Sequence, residues 1–239
     1  MESGIIALFL GRGNAAPIAR FPAIPRINRN LRRTRSRSGL ALAALLVLSA
    51  CALAAPPTSP SPQSEAERFS ASARKGANEW GWLSGAAAQV PGGATGHGFI
   101  TLDLRWGRIL TNPHGSGPWR GTLEYIVEIV PAFVVRENAN VFGGGLNPFF
   151  LQYNFVRRRR VVPFLQAGAG TLFTNAKVPD GISKFNFTPQ GGVGIYYFRR
   201  PSRALLLGVR YHHISNGGIK KHNPGFNALY FYTGVSWWR

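Results

Sequence analysis

The sequence predicts an all-β fold: an eight-stranded antiparallel transmembrane β-barrel, preceded by a signal segment and a Pro-rich tether. Three observations lead there. Apolar and polar residues alternate in run after run from about residue 76 to the C-terminus. Within those runs, nearly every charged residue lies opposite the aromatic ones. Upstream is a segment with the parts of an export signal. Aromatic content of 12% and 29 Gly in 239 residues fit short strands and turns better than helices. The chain divides into a leader and signal segment at 1–55, a tether at 56–75 and a barrel at 76–239.

Residues 1–30 join a short apolar patch at 5–10 to scattered Pro and Arg, with no core pattern. A basic run at 29–37 leads into a nearly unbroken apolar stretch at 39–55. Basic region, apolar region and terminal small residues make a secretory signal. The stretch is shorter than the roughly 20 residues a spanning helix needs. The first 30 residues are long for the basic region of a signal. A start assigned too early accounts for them, through a codon other than Met because Met1 is the only Met. Two cleavage patterns overlap. Leu48, Ser49, Ala50 and Cys51 resemble a lipobox, in which Cys51 is lipidated and becomes the mature N-terminus. Ala52, Leu53 and Ala54 fit the small-x-small pattern of ordinary signal cleavage. Both patterns export the protein. The segment 56–72 is a polar, Pro-rich tether.

Eight candidate strands follow at 77–90, 98–110, 118–136, 147–157, 161–174, 184–199, 203–215 and 226–238. In the second, Ile100, Leu102, Leu104 and Trp106 oppose Thr101, Asp103 and Arg105. In the third, Leu123, Tyr125, Val127, Ile129, Phe133 and Val135 oppose Thr122, Glu124 and Glu128. The fourth sets Phe149, Leu151, Tyr153 and Phe155 against Gln152 and Asn154. The sixth sets Phe185, Phe187, Val193, Ile195 and Tyr197 against Asn186, Thr188, Gln190, Gly192 and Gly194.

Two closed barrels fit this alternation. A soluble, lipid-binding barrel is apolar inside and polar outside; a membrane barrel is the reverse. The polar face decides for the membrane. Asp103, Arg105, Glu124, Glu128, Gln152, Asn154, Gln166, Gln190 and Arg210 are mixed in sign and mostly short, suited to a closed internal network. Eight strands enclose room only for packed side chains, so a transport pore is not expected. An even strand count puts both barrel ends in the periplasm. The connections at 112–117, 157–160 and 199–202 are then periplasmic turns, the four-Arg run 157–160 being a solvated one, and 216–225 points outward.

The chain carries 28 Lys+Arg against 9 Asp+Glu. Eight Arg and one Glu fall in residues 1–51, leaving a net charge of +12 for the rest. That excess favours an anionic partner, either nucleic acid or the phosphates of a lipid headgroup. Export and the barrel pattern select lipid. A single Cys excludes an intramolecular disulfide, and no Cys/His cluster has metal-ligand spacing. The oligomeric state, monomer or homodimer, is left open.

The last hairpin carries the chemistry. Leu205, Leu207, Val209, Tyr211, His213 and Ser215 share one face, and Asn227, Leu229, Phe231, Thr233, Val235 and Trp237 share the corresponding face across a short loop. His213, Ser215 and Asn227 therefore meet on an apolar surface near one end, while His212 faces the interior as a satisfied residue. Residues two apart on a strand project to the same side, roughly 7 Å apart at Cα. A serine hydrolase needs a hydroxyl nucleophile, an imidazole base, a group that orients the base, and N–H donors for the oxyanion. Asn227 is the side chain placed to accept from the far nitrogen of His213. Asn216, Gly217 and Gly218 follow the Ser, where Gly lets the backbone turn its N–H groups towards a carbonyl.

The run His213, Ile214, Ser215, Asn216, Gly217, Gly218, followed by Asn223, Pro224 and Gly225, resembles the signature of the outer-membrane lipid A 3-O-deacylases of PagL type. Similarity in strand pattern extends over roughly 76–239, including Val127, Glu128, Ile129, Val130 and Pro131. The resemblance implies that His213 is the base and Ser215 the nucleophile. It also implies that the backbone at Asn216 and Gly218 forms the oxyanion hole and that Asn223 supports the loop. The implied substrate is lipid A of lipopolysaccharide, and neither metal nor organic cofactor is needed. Lys220 and Lys221, with His222, lie where they would meet lipid phosphates. The family's third member is Glu, and the matching residue here is Asn227. An amide orients a His but does not stabilise an imidazolium by charge, so a slower reaction is expected. A non-catalytic barrel serving envelope integrity or adhesion is the competing expectation.

Overall fold

The computed structural model describes residues 74–94, 98–136, 139–156, 160–200 and 202–239. The leader and signal segment, the cleavage region around Cys51, the tether up to residue 73 and the Arg run at 157–159 lie outside the described residues.

Nine strands follow in order: β1 (Asn78–Gln89), β2 (Phe99–Ile109), β3 (Gly121–Arg136), β4 (Asn140–Phe155), β5 (Val161–Thr174), β6 (Phe185–Phe187), β7 (Gln190–Arg200), β8 (Arg203–Ile214) and β9 (Phe226–Trp238). The sheet runs β4-β3-β2-β1-β9-β8-β7-β5-β6, and a further β4–β5 pairing closes it. β6 and β7 both pair with β5 and form one interrupted stave, so the closed antiparallel barrel has eight.

Four local departures from the sequence expectation have identifiable causes. The expected sixth strand is broken at Pro189, which has no N–H to give a ladder. Its carbonyl instead accepts from the His213 N–H at 3.0 Å. The fourth strand begins at Asn140, seven residues before the expected start at 147, because the glycines at 143–145 pair with β3 and β5. The third begins at Gly121, after a short 3-10 turn at Gly117–Trp119. The third also changes phase. A bulge between Val130 and Phe133 turns Phe133 and Val135 inward, correcting their expected place beside Ile129.

Elsewhere the two faces sort as the alternation requires. Leu104, Ile129, Leu151, Leu165, Val193 and Phe231 are exposed on the outer wall. Asp103, Arg105, Glu124, Glu128, Gln152, Asn154, Gln166, Gln190 and Arg210 are all buried in the lumen. An apolar outside around a polar inside is the arrangement of a barrel whose solvent is lipid. Glu79 of β1 joins the polar set, a residue whose face the sequence pattern had not assigned.

A polar network centred on two arginines crosses the lumen. Arg105 donates to Glu79 (3.1 Å), Glu128 (3.1 Å), Gln152 (2.8 Å) and Tyr196 (2.9 Å). Arg210 donates through both terminal nitrogens to Glu128, each at 2.7 Å, and to Gln190 and Gln166 at 3.3 Å. Its guanidinium lies between the Phe150 and Tyr232 rings, 4.7 and 4.6 Å from their centroids. Glu128 thus bridges two guanidiniums. A cavity of about 20 Å³ beside Asp103, Arg210 and His212 is on the scale of one water molecule, far short of a channel.

Two outcomes follow from this architecture. Glu128→Gln leaves the buried Arg210 guanidinium without its carboxylate partner and Arg105 with Glu79 alone. It is expected to destabilise the barrel by about 3–5 kcal/mol, measured as the urea unfolding midpoint in lipid vesicles. Phe231→Arg puts a charge near the middle of β9 on the outer wall. It is expected to cost about 2–4 kcal/mol in the same measurement.

Candidate active site

The strands β8 and β9 pair residue for residue from Arg203 opposite Trp237 to Ile214 opposite Phe226. That unbroken register places His213 directly across from Asn227. Directly opposed residues on one face of an antiparallel pair have neighbouring side chains. Here His213 Nδ1 lies 2.5 Å from Asn227 Oδ1. Tyr211 and Leu229, one step along the same face, are exposed, so the pair belongs to the outer wall.

Ser215 follows β8 and is held from the other side. It exchanges backbone hydrogen bonds with Phe187 of β6, at 2.7 and 3.1 Å. Phe187 is exposed on the outer wall, so its bridge partner Ser215 shares that face with His213. Pro189 and Phe187 therefore fix the backbone on both sides of Ile214. Among the described residues the imidazole is hydrogen-bonded to Asn227, and no hydrogen bond joins it to the Ser215 hydroxyl. Catalytic hydrogen bonds commonly tighten only when substrate is bound.

The loop after Ser215 is ordered by two Asn side chains. The Asn216 N–H donates to Asn223 Oδ1 at 3.0 Å, and the Gly218 N–H donates to Asn216 Oδ1 at 2.9 Å. Asn216 Nδ2 donates to the His222 carbonyl at 3.1 Å. The two N–H groups expected to face an oxyanion thus already have acceptors. Gly217 and Gly218 have φ of 62° and 82°, the left-handed conformation this tight turn requires.

The expected phosphate-binding lysines differ from each other. Lys220 Nζ lies 3.4 Å from the Ile182 carbonyl and ties the loop to the β5–β6 connection, while Lys221 is exposed. His212 faces the interior as expected, against Phe99 and Tyr230, but its Nδ1 has no hydrogen-bond partner. Among the described residues no cluster of three or more His, Cys, Asp or Glu is arranged to hold a metal ion.

One contributor left no trace in the sequence pattern. Asn227 Nδ2 donates to the Gly92 carbonyl in the β1–β2 loop at 2.6 Å. That loop is anchored beside the hairpin by Val90 N–H to the Asn227 carbonyl (2.9 Å) and Ala94 N–H to the Gly225 carbonyl (2.7 Å). Its residues lie about 135 positions before Asn227, so only closure of β1 onto β9 brings them together.

The family model of the lipid A 3-O-deacylases (PagL) matches residues 95–236, more than half of the chain. The chain belongs to this family. No curated protein matches it. Among solved structures, the outer membrane enzyme PagL is 19% identical, with a TM-score of 0.47, over 65% of this chain and 97% of that one. The N-terminal β-barrel domain of Pseudomonas aeruginosa OprF is 12% identical, with a TM-score of 0.44, over 69% of this chain and 98% of that one. The outer membrane protein OprG from Pseudomonas aeruginosa is 11% identical, with a TM-score of 0.44, over 70% and 97% respectively. The family match takes in the whole of the β8–β9 loop and its flanking residues, from His213 to Asn227.

The Asn223 contact gives a direct structural test. Asn223→Ala removes the acceptor of the Asn216 N–H. Amide hydrogen exchange at Asn216 is expected to accelerate by roughly tenfold, the effect of losing about 1.4 kcal/mol of local protection. Exchange in the β8–β9 ladder should be unchanged.

Proposed function

We propose that the protein is an outer-membrane serine esterase that removes the 3-O-linked acyl chain of lipid A. It is exported through the leader and signal segment at 1–55, cut either at the lipobox-like Cys51 or at the small-x-small site of Ala52 to Ala54, and its barrel is carried on the tether at 56–75. The single observation that carries the reading is the in-register His213–Asn227 pair with Ser215 two residues on. All three belong to a wall that otherwise presents Tyr211, Leu229 and Phe231 to lipid.

In this reading the β8–β9 loop lies at the outer leaflet, where the acyl chains of lipid A run alongside the barrel. Ser215 Oγ attacks the ester carbonyl carbon while His213 Nε2 takes the hydroxyl proton. The tetrahedral oxyanion draws on the N–H groups of Asn216 and Gly218, displacing the Asn side-chain oxygens that occupy them at rest. Collapse releases the sugar hydroxyl, which takes the proton from His213. Water then attacks the acyl carbonyl carbon and gives a proton to His213, which passes it to Ser215 Oγ as the Oγ–C bond breaks and the fatty acid leaves. Asn227 holds the ring in place but supplies no charge to the transient imidazolium, so a rate below that of a Glu-containing site is expected. Lys220 and Lys221 sit where the glucosamine phosphates approach the loop.

A second reading, a non-catalytic envelope barrel, draws on two of the same observations: the amide at 227 and the occupied N–H donors. Mass spectrometry of lipid A separates the two. Cells producing the protein should show lipid A lighter by one acyl chain, and cells producing Ser215→Ala should retain it. Identical acylation in both, with equal amounts of folded barrel in the outer membrane, refutes the esterase.

A further inference from the structure

We infer that the Gly92 carbonyl is a positioning group that sets the tautomer of His213, acting through the Asn227 amide. The inference rests on the esterase reading and deepens it. The two ends of a side-chain amide have nearly the same shape but opposite hydrogen-bonding sense. Which end meets the imidazole decides which ring nitrogen carries the proton.

A backbone carbonyl can only accept, so the end of Asn227 that lies 2.6 Å from the Gly92 oxygen must be the NH2 group. The other end, Oδ1, then faces His213 Nδ1 at 2.5 Å and must accept from it. The proton therefore sits on Nδ1, and the Nε2 lone pair is left free for the Ser215 hydroxyl. Reversing the amide sets oxygen against the Gly92 oxygen and N–H against Nδ1. That arrangement forces the proton onto Nε2 and removes the base.

Two glycines let the backbone approach this relay closely. Gly92 has φ of 109°, which side-chain-bearing residues rarely adopt, and a Cβ there would lie 3.2 Å from Asn227 Nδ2. On the other side of the ring, Gly225 has φ of 67°, and a Cβ there would come within 2.5 Å of His213 Cε1. The imidazole is thus packed against one glycine while its amide partner is held by another. The loop bonds through Val90 and Ala94 keep the first glycine in place.

A carboxylate at position 227 meets this loop badly. One of its oxygens would stand where Nδ2 now does, facing the Gly92 oxygen with no hydrogen between them. The Asn227 amide is therefore matched to the β1–β2 loop in a way that the equally short Asp is not.

The test uses the full chain, labelled with ¹⁵N-histidine and folded in detergent micelles. Long-range ¹H–¹⁵N correlation reads the tautomer, with the His213 signals identified by their loss in His213→Gln. Wild type is expected to show a protonated Nδ1 and a bare Nε2. Gly92→Ala, which displaces the carbonyl, and Asn227→Leu, which removes the acceptor, are each expected to shift His213 towards the Nε2–H form. Asn227→Asp is expected to lower kcat for lipid A deacylation by roughly 10²-fold with little change in KM. A bare Nδ1 in the wild-type spectrum overturns the inference whether or not any variant folds. So does an unchanged tautomer in a folded Gly92→Ala, or a faster Asn227→Asp. The spectra need no substrate, so a chain that holds Nδ1–H yet leaves lipid A intact refutes the esterase reading alone.

Discussion

Everything in this barrel depends on Glu128 standing between two guanidiniums. One carboxylate on β3 takes Arg210 through both oxygens and Arg105 through one. The two arginines then reach Glu79 on β1, Gln152 on β4, Gln166 on β5, and Gln190 and Tyr196 on β7. With Tyr232 of β9 stacked on Arg210, every stave touches the same network. Two buried cations are costly unless their donors are satisfied. Nearly all of theirs are, Arg210 Nε being the exception. The residues that complete the network are the ones that face inward.

That inward facing governs the outer wall as well. Side chains alternate across a strand with a period of two, so a one-residue slip exchanges the whole of both faces. Arg210 in the lumen requires Tyr211 and His213 outside, and Tyr232 in the lumen requires Phe231 and, by the same phase, Asn227 outside. The buried ion network and the exposed polar pair are thus two readouts of one register. The strand excess of positive charge is resolved in the same way. The four acidic residues of the described strands, Glu79, Asp103, Glu124 and Glu128, are all inside, while Arg74, Arg108, Arg120, Arg203 and Arg239 are exposed at the end away from the β8–β9 loop.

The site itself is assembled from three separate connections rather than from the hairpin alone. The hairpin contributes His213, Ser215 and Asn227; β6 contributes the backbone that pins Ser215; the β1–β2 loop contributes the carbonyl that holds the Asn227 amide. In the proposed reading the site combines a nucleophile and a base with a neutral orienting group. The Asn216 and Gly218 N–H groups are capped by the side-chain oxygens of Asn223 and Asn216. On that reading substrate displaces those side chains, which couples binding of an acyl carbonyl to completion of the site.

The amino-acid sequence alone determined the barrel, the strand count and the facing of nearly every strand, because alternation is a local property and lipid outside inverts it unmistakably. It also determined that His213, Ser215 and Asn227 share a face, since a ten-residue connection between two alternating runs leaves little freedom of register. It misjudged Phe133 and Val135, because a bulge at Pro131 and Ala132 changes phase without leaving a signature in the alternation. It ran one strand through Pro189, although Pro lacks the N–H a ladder needs, and it left Glu79 without a face. Only the tertiary structure decided what holds the Asn227 amide. Gly92 reaches it because the closed sheet brings β1 against β9, and contact between distant segments of a chain is set by closure, which no local pattern encodes.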